Sequence, residues 1–277
     1  MDRKELKELL NTLGIRLSKS SGQHILVDEG ILAEEVRMAN VRSTDIVLEI
    51  GTGPGTLTRV LAGHAGKVIT VENDLRFQSY LETVMPDNVK LIFDDFLKID
   101  LPGFHKVVAN VPYNISSPII FKLLEHEFTA GILMLQLEYA ERMVAGAGDP
   151  DYSRLSVKID SKAHCEMLRK VSRNHFHPIP RVDSAMVELV PREPSYHIED
   201  RETFDRVVDA VFNQKRKKIK NALLNKHRWF GIEKDRFKPV VSDLARGHNR
   251  GEDLSPAELA ELSNTVFGMI KDIKSEN

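Results

Sequence analysis

The chain has 277 residues, of which 42% are hydrophobic and 29% are charged, as is typical of a globular protein. No apolar run approaches the ~20 residues that a membrane-spanning helix needs. The single cysteine, Cys165, excludes an internal disulfide and a cysteine-based zinc cluster. The charged N-terminus lacks the apolar stretch of a signal peptide, so we expect a cytoplasmic protein without a membrane partner.

Helix and strand patterns alternate through the first half of the chain. In chain order they predict a helix at residues 3–13, a polar loop at 18–23, a helix at 28–40, a strand at Ile46–Ile50, a helix at Thr56–Ala62, a strand at 68–71, a helix at 75–84, and strands at Val89–Phe93, 106–109 and 132–135. This alternation favours a parallel sheet covered on both faces. Strand patterns at residues 155–159, 166–171 and 185–190 lack helical spacers and predict an antiparallel extension of the sheet.

A proline-containing segment, residues 191–194, marks a predicted domain boundary. Beyond it the pattern is helical, at residues 204–212, 218–224 and 256–270. We therefore predict an α/β domain at residues 1–191 and a small all-α domain at residues 192–277. The second domain carries a dense basic stretch, which predicts an RNA-binding surface rather than an ordinary solvated helix face: Lys215, Arg216, Lys217, Lys218 and Lys220.

A glycine-rich loop, residues 48–55, joins the first predicted sheet strand to a helix. Glycines allow the backbone to approach a ligand closely, and the helix N-terminus offers free N–H groups. Glu72 ends the next strand, where a carboxylate can accept hydrogen bonds from a ribose diol. Asp95 ends the third strand, where an adenine ring would lie, and Asp94 competes for that role. Taken alone, the loop and Asp95 would also fit ordinary turns, and Glu72 would fit a solvated charge at a strand end.

The tetrapeptide Asn110-Val111-Pro112-Tyr113 ends the fourth strand, at the carboxyl edge where open α/β sheets bind ligands. It resembles the N/D-P-P-Y signature of methyltransferases that act on exocyclic amines. An Asn side-chain carbonyl and a fixed backbone carbonyl can accept both N–H bonds of such an amine and stabilise its developing positive charge. Proline restrains the local backbone, and Tyr113 can stack on the base.

A second aromatic element, residues 176–184, contains two prolines and is predicted to be stiff and extended. Phe176 can cover the other face of an extrahelical base, although core packing is the competing interpretation. The ten histidines show no spacing typical of metal ligands, so no metal site is predicted.

Together these motifs resemble the small-subunit ribosomal RNA adenine N6,N6-dimethyltransferases, the kasugamycin-sensitivity type, over nearly the whole chain. Residues 22–26 are similar to the family's G-Q-N-F-L motif, with His24 and Ile25 replacing asparagine and phenylalanine. The other matching segments are residues 49–58, 71–74, 95–97, 110–113, 176–184 and 212–217. Asp95 matches the family better than Asp94 does, and Lys215 replaces an arginine.

The resemblance implies a Rossmann-like methyltransferase domain that uses S-adenosylmethionine and yields S-adenosylhomocysteine. Cofactor contacts would fall on His24, Leu26, Gly51, Gly53, Glu72, Asp95 and Asn110. The catalytic, base-contacting residues would be Asn110, Pro112, Tyr113 and Phe176. The implied substrate is a pair of adjacent adenines in the 3′-terminal hairpin loop of small-subunit ribosomal RNA, within a pre-ribosomal small subunit. A monomer is expected.

Three alternatives remain open from the sequence. A related large-subunit RNA methyltransferase of the antibiotic-resistance type shares these motifs, although residues 212–217 favour the small-subunit enzyme. A non-catalytic ribosome-assembly or transcription factor would keep the fold, but intact Asn110, Pro112, Tyr113 and Glu72 argue against lost chemistry. Methylation of a DNA or protein amine is the third, and the basic helical domain favours a nucleic acid without separating RNA from DNA.

Overall fold

The computed structural model describes residues 1–18 and 22–275. The strands are β1 (Ile25–Leu26), β2 (Ile46–Ile50), β3 (Lys67–Glu72), β4 (Val89–Phe93), β5 (Lys106–Asn110), β6 (Ala130–Gln136), β7 (Ala163–Val171), β8 (Phe176–His177) and β9 (Ser184–Pro191). The helices are α1 (Arg3–Thr12), α2 (Glu29–Met38), α3 (Thr56–Ala62), α4 (Gln78–Val84), α5 (Ser116–Leu123), α6 (Leu137–Val144), α7 (Arg154–Asp160), α8 (Arg201–Phe212), α9 (Ile219–Asn225), α10 (Lys234–Ser242) and α11 (Pro256–Ser275). Of the predicted loop at residues 18–23, residues 19–21 lie outside the described part.

Seven strands form one mixed sheet in the order β4-β3-β2-β5-β6-β9-β7. Neighbouring strands from β4 to β6 are parallel, and β9 pairs antiparallel with β6. The order reverses between β2 and β5, and such a switch point opens a crevice at the carboxyl ends of the strands. The predicted α/β class is confirmed, and strands occur where residues 166–171 and 185–190 predict them.

Residues 155–159 are helical, so the strand predicted there is wrong. Their alternating apolar and polar side chains fit a strand, but the segment lies within α7. The Ser153 backbone N–H donates to the Ser156 hydroxyl at 3.1 Å, which supports the first turn of the helix. Leu155, Val157 and Ile159 are buried, so tertiary packing overrides the strand-like period.

The face of the sheet covered by α2 holds a continuous apolar layer. Leu32 and Val36 of α2 pack with Val47 of β2 and Val108 of β5. Burial of such side chains contributes roughly 1.5–3 kcal/mol each. This packing fixes the strands whose carboxyl ends form the site.

The chain divides into two compact units, Met1–Ala140 with His164–Pro191, and Glu141–Ala163 with Arg192–Asn277. The predicted domains, residues 1–191 and 192–277, differ from this grouping over residues 141–163. In the second unit the Tyr152 hydroxyl donates to the Leu254 carbonyl at 3.0 Å, and Tyr152 packs edge-on against Phe212. Within residues 1–18 and 22–275, no helix is long and apolar enough to cross a membrane.

Candidate active site

A cavity of about 580 Å³ opens in the first unit at the carboxyl ends of β2, β3 and β5. Its volume falls within the roughly 300–1,000 Å³ of typical small-molecule sites. The predicted cofactor and base contacts all line it: His24, Leu26, Gly51, Gly53, Glu72, Asp95, Asn110, Pro112, Tyr113 and Phe176. The fold thus brings together residues from six separate sequence segments, and their individual roles stay predictions.

The glycine loop has the backbone that its sequence predicts. Gly51, Gly53 and Gly55 all have positive φ angles, of 83°, 52° and 80°, which side chains with a Cβ rarely adopt. The Gly53 N–H donates to Glu72 Oε2 at 2.7 Å, and the Asp74 N–H donates to Oε1 at 2.7 Å. The carboxylate of Glu72 therefore fixes the loop, and its remaining lone pairs can accept from ligand hydroxyls.

The structure distinguishes the two neighbouring aspartates after β4. Asp95 lines the cavity, whereas Asp94 is exposed and lies outside its lining. Asp95 Oδ1 accepts the Leu97 N–H at 3.0 Å, and Lys98 Nζ lies 3.2 Å from Oδ2. These contacts hold the pKa of Asp95 below its usual range, so the side chain is an anionic acceptor at neutral pH.

Asn110 is the last residue of β5 and faces the cavity. Its Oδ1 is buried and has no hydrogen-bond partner among the described residues. A buried unpaired acceptor is costly, which is typical of an atom that serves a ligand. Beyond Pro112, the Tyr113 hydroxyl shares a 2.6 Å hydrogen bond with Ser184, which fixes the tyrosine ring at the cavity wall.

His24 and Phe176 reach the cavity through the small antiparallel pair β1–β8. His24 Nδ1 donates to the Pro178 carbonyl at 2.7 Å, and its ring stacks on Tyr113 with centroids 5.6 Å apart. The replacement of asparagine by histidine thus supplies a side-chain contact that sequence reasoning had not assigned. Phe176 is only 1% exposed and belongs to the apolar layer, yet it also lines the cavity.

Two buried glutamates were not predicted as site residues. Glu49 lines the cavity and accepts the Thr58 hydroxyl at 2.6 Å, and Glu35 of α2 is wholly buried. Burial raises the pKa of each to about 8. The available signal was the position of Glu35, which follows Leu32 by three residues on the buried stripe of α2.

Stability is expected to fall as pH rises from about 4.5 to about 8, because Glu35 and Glu49 stay protonated in the folded state but ionise in the unfolded chain. Each group can contribute a loss of up to about 1.4 kcal/mol per pH unit. Urea unfolding at pH 5.5 and pH 8 measures the change, and Glu35→Gln should flatten it. An unfolding free energy in the wild type that is constant or rises over this range would contradict the assignment.

The predicted RNA-binding residues all lie in the second unit, around the N-terminus of α9. Residues 215–218 are exposed and Lys220 is half-buried. Lys215 Nζ donates to the Tyr152 carbonyl at 2.9 Å, so this ammonium also has a structural contact. Lys220 Nζ lies 3.3 Å from His248 Nε2, which adds a histidine to the basic surface.

The sheet, its glycine loop and the acidic strand ends define the class of S-adenosylmethionine-dependent methyltransferases. Residues 14–236 match the sequence profile of the family described as ribosomal RNA adenine dimethylase. The chain belongs to the ribosomal RNA adenine dimethylase family. The predictions of family, fold class and enzyme class are therefore confirmed.

Individual relatives agree with this assignment. A probable ribosomal RNA small subunit methyltransferase A from Methanococcoides burtonii is 44% identical over 95% of this chain and 98% of its own length. A dimethyladenosine transferase from Plasmodium falciparum, known from a crystal structure, is 32% identical, with a TM-score of 0.76 over 88% of this chain and 98% of that one. The 23S rRNA methyltransferase ErmE is 29% identical, with a TM-score of 0.65 over 88% of this chain and 99% of its own.

Proposed function

We propose that this protein dimethylates the N6 amines of two adjacent adenines in the 3′-terminal hairpin loop of small-subunit ribosomal RNA during ribosome biogenesis. The proposal extends to a cytoplasmic monomer that acts on a partly assembled small subunit. The small-subunit name of the Methanococcoides burtonii relative supports the choice of RNA. The single observation that carries the chemistry is the buried Oδ1 of Asn110, beside Pro112 and Tyr113 in the cavity, which has no hydrogen-bond partner among the described residues.

The residues of the cavity fit the cofactor that the family implies. Glu72 would accept from the ribose hydroxyls, Asp95 would contact the adenine end, and the backbone of Gly51 and Gly53 would allow close approach. When bound, S-adenosylmethionine supplies an electrophilic methyl group on a positively charged sulfur. Within residues 1–18 and 22–275, no group of three His, Cys, Asp or Glu side chains could hold a metal ion.

The protein contributes positioning and hydrogen-bond acceptors to the reaction. The adenine amine is a weak nucleophile because its lone pair is delocalised into the ring. Asn110 Oδ1 and a backbone carbonyl would accept its two N–H groups, which favours a tetrahedral nitrogen and stabilises the developing positive charge. Tyr113 and Phe176 would hold the flipped base between aromatic rings. The product amine is acidic while cationic, so no strong general base is required.

Methylation of large-subunit RNA is the second candidate, because ErmE shares the fold over 88% of this chain. The relatives named for the small subunit favour the first candidate, at up to 44% identity. Residues 212–217 resemble the small-subunit family's F-x-Q-R-R-K element and favour it too.

The deciding experiment is methyl transfer from labelled cofactor to purified small subunits that lack the modification. Large subunits and free RNA serve as parallel substrates. Dimethyladenosine in small-subunit RNA alone is the expected result. Labelling of large subunits alone would favour the second candidate function. Cofactor binding without any methyl transfer would favour an assembly role.

Neutralising the exposed basic residues Arg216 and Lys217 together is expected to weaken binding to small-subunit RNA by about tenfold. Each lost phosphate contact should also reduce the slope of log affinity against log salt by about one. Titrations at several salt concentrations measure both effects. Lys234→Ala with Lys238→Ala, exposed positions in the same unit, is the matched control. An unchanged salt slope in the first variant would remove this surface from the RNA interface.

A further inference from the structure

Glu35 and Glu49 are buried acids that the proposed transfer chemistry does not use. Glu35 is 0% exposed and Glu49 is 1% exposed. Neither oxygen of Glu35 has a hydrogen-bond partner among the described residues. Glu49 accepts the Thr58 hydroxyl at 2.6 Å, and the Thr70 side chain also interacts favourably with its carboxylate. Such poorly compensated carboxyls are destabilising, so their presence beside the cavity calls for a functional explanation.

Glu49 lines the cavity, and Glu35 lies on α2 in the apolar layer behind it. Side chains two residues apart on a strand share a face, so Glu49 faces the same way as Val47, and Asn110 the same way as Val108. Val47 and Val108 belong to the apolar layer that α2 covers. Glu35 of α2 approaches the Asn110 carboxamide in this layer. Repulsion from a charged Glu49 adds to the rise in the pKa of Glu35. The pair therefore adjoins the end of the cavity where Asn110 lies.

No cation compensates these acids within the described part of the chain. Facing them are Glu72 of β3 and, on the same sheet face, the half-buried Glu188 of β9, and β6 carries no ionisable side chain. Basic side chains of the surrounding elements contact other groups: Lys106 contacts Asp45, Arg169 contacts Glu34, His175 contacts Asp28 and Arg59 contacts Tyr80. His177 alternates with buried Phe176 on β8 and so points away from the layer.

Uncompensated burial keeps both acids neutral in the free protein at pH 7. Desolvation is the largest cause of the raised pKa of each, to about 8. Opposing interactions with the neutral side chains of Asn110, Thr58 and Thr70 do not reverse this. A positive charge that enters the cavity would favour the ionised form of these acids, because Coulomb attraction is strong in a poorly solvated interior.

We propose that Glu35, together with Glu49, couples cofactor binding to proton release, so that the protein distinguishes the cationic cofactor from its neutral product. This inference rests on the proposed use of S-adenosylmethionine, which carries a net positive charge, whereas S-adenosylhomocysteine carries none. When the cofactor binds, one carboxyl loses its proton to solvent and becomes a counter-ion. When the neutral product replaces it, the carboxylate takes a proton back from solvent.

The coupling has a direct consequence for affinity. Binding linked to release of one proton strengthens by at most about tenfold per pH unit while the acid is protonated in the free protein. Affinity for S-adenosylmethionine should therefore rise from pH 6 to pH 8, whereas affinity for S-adenosylhomocysteine should stay nearly constant. Because the neutral product gains nothing from the ionised acid, the same coupling favours its release.

Isothermal titration calorimetry at pH 7, in two buffers with different ionisation enthalpies, counts the protons released per ligand bound. We expect release of up to about one proton with S-adenosylmethionine and close to none with S-adenosylhomocysteine. Zero release with both ligands, or equal release with both, overturns the inference in the unaltered protein. Failure of both ligands to bind would instead overturn the cofactor assignment itself.

Glu35→Gln keeps the size of the side chain and removes its ionisable proton. We expect this variant to release less than half of the protons that the wild type releases, with a flatter pH dependence of affinity. Glu29→Gln, at an exposed position on the same helix, is the control and should behave as wild type. Wild-type proton release by a folded Glu35→Gln variant would show that Glu35 does not couple cofactor binding to proton release.

Discussion

Replacing Asn110 with alanine is expected to lower turnover by about 100- to 1,000-fold, the usual effect of removing one group that stabilises transition-state charge. The buried Oδ1 has no other partner among the described residues. We therefore attribute the expected loss of turnover to the missing acceptor for the target amine. Single-turnover methyl transfer to small subunits measures the rate. Thermal unfolding of the variant shows whether the fold survives, because Asn110 is itself a predicted cofactor contact.

Asn110→Asp keeps the acceptor oxygen Oδ1 and replaces the amide nitrogen, so it tests the oxygen by itself. Aspartate occupies this position in part of the N/D-P-P-Y class, so this variant should retain more activity than Asn110→Ala. Asn11→Ala, an exposed asparagine on α1, controls for general effects of asparagine removal. Turnover near the wild-type rate in a folded Asn110→Ala protein would eliminate the proposed role.

The cavity was largely predictable because its residues follow strands. Glu72, Asp95 and Asn110 come at or just after strand ends, and parallel strands in a sheet of this class place those ends at one edge. A short apolar run and a following polar residue therefore predicted both the element and the position of the side chain. The same logic does not reach Glu35, because Glu35 lies within α2 and not at a strand end. Helical periodicity predicts that its side chain is buried but not which strands it packs against.

Residues 141–163 show a different limit. The local pattern at residues 155–159 suggested continuation of the sheet. Residues 141–163 instead belong to the second unit, with contacts such as Lys158 Nζ to Asp209 Oδ2, 51 residues apart, at 3.0 Å. The Tyr152 hydroxyl reaches the Leu254 carbonyl over 102 residues. Contacts at such separation leave no periodic signal in a single sequence, so neither α7 nor its grouping could be predicted.

Replacing Glu72 is expected to produce the second large effect, a loss of cofactor affinity. A hydrogen bond to a charged group contributes about 1.5–3 kcal/mol, or roughly 10- to 150-fold in the dissociation constant. Glu72→Gln should lose affinity within this range, and Glu72→Ala should lose more because the Gly53 N–H also loses its acceptor. Calorimetry with S-adenosylhomocysteine measures both variants without turnover.

A loosened glycine loop could weaken binding even if Glu72 never contacted the ribose, so affinity alone does not establish the contact. A double-mutant cycle with a cofactor analogue that lacks the ribose 2′-hydroxyl separates the two effects. The analogue should bind the wild type less tightly than the natural ligand, while Glu72→Gln should bind both almost equally. Equal penalties for the analogue in the two proteins would show that Glu72 acts only through Gly53 and the loop.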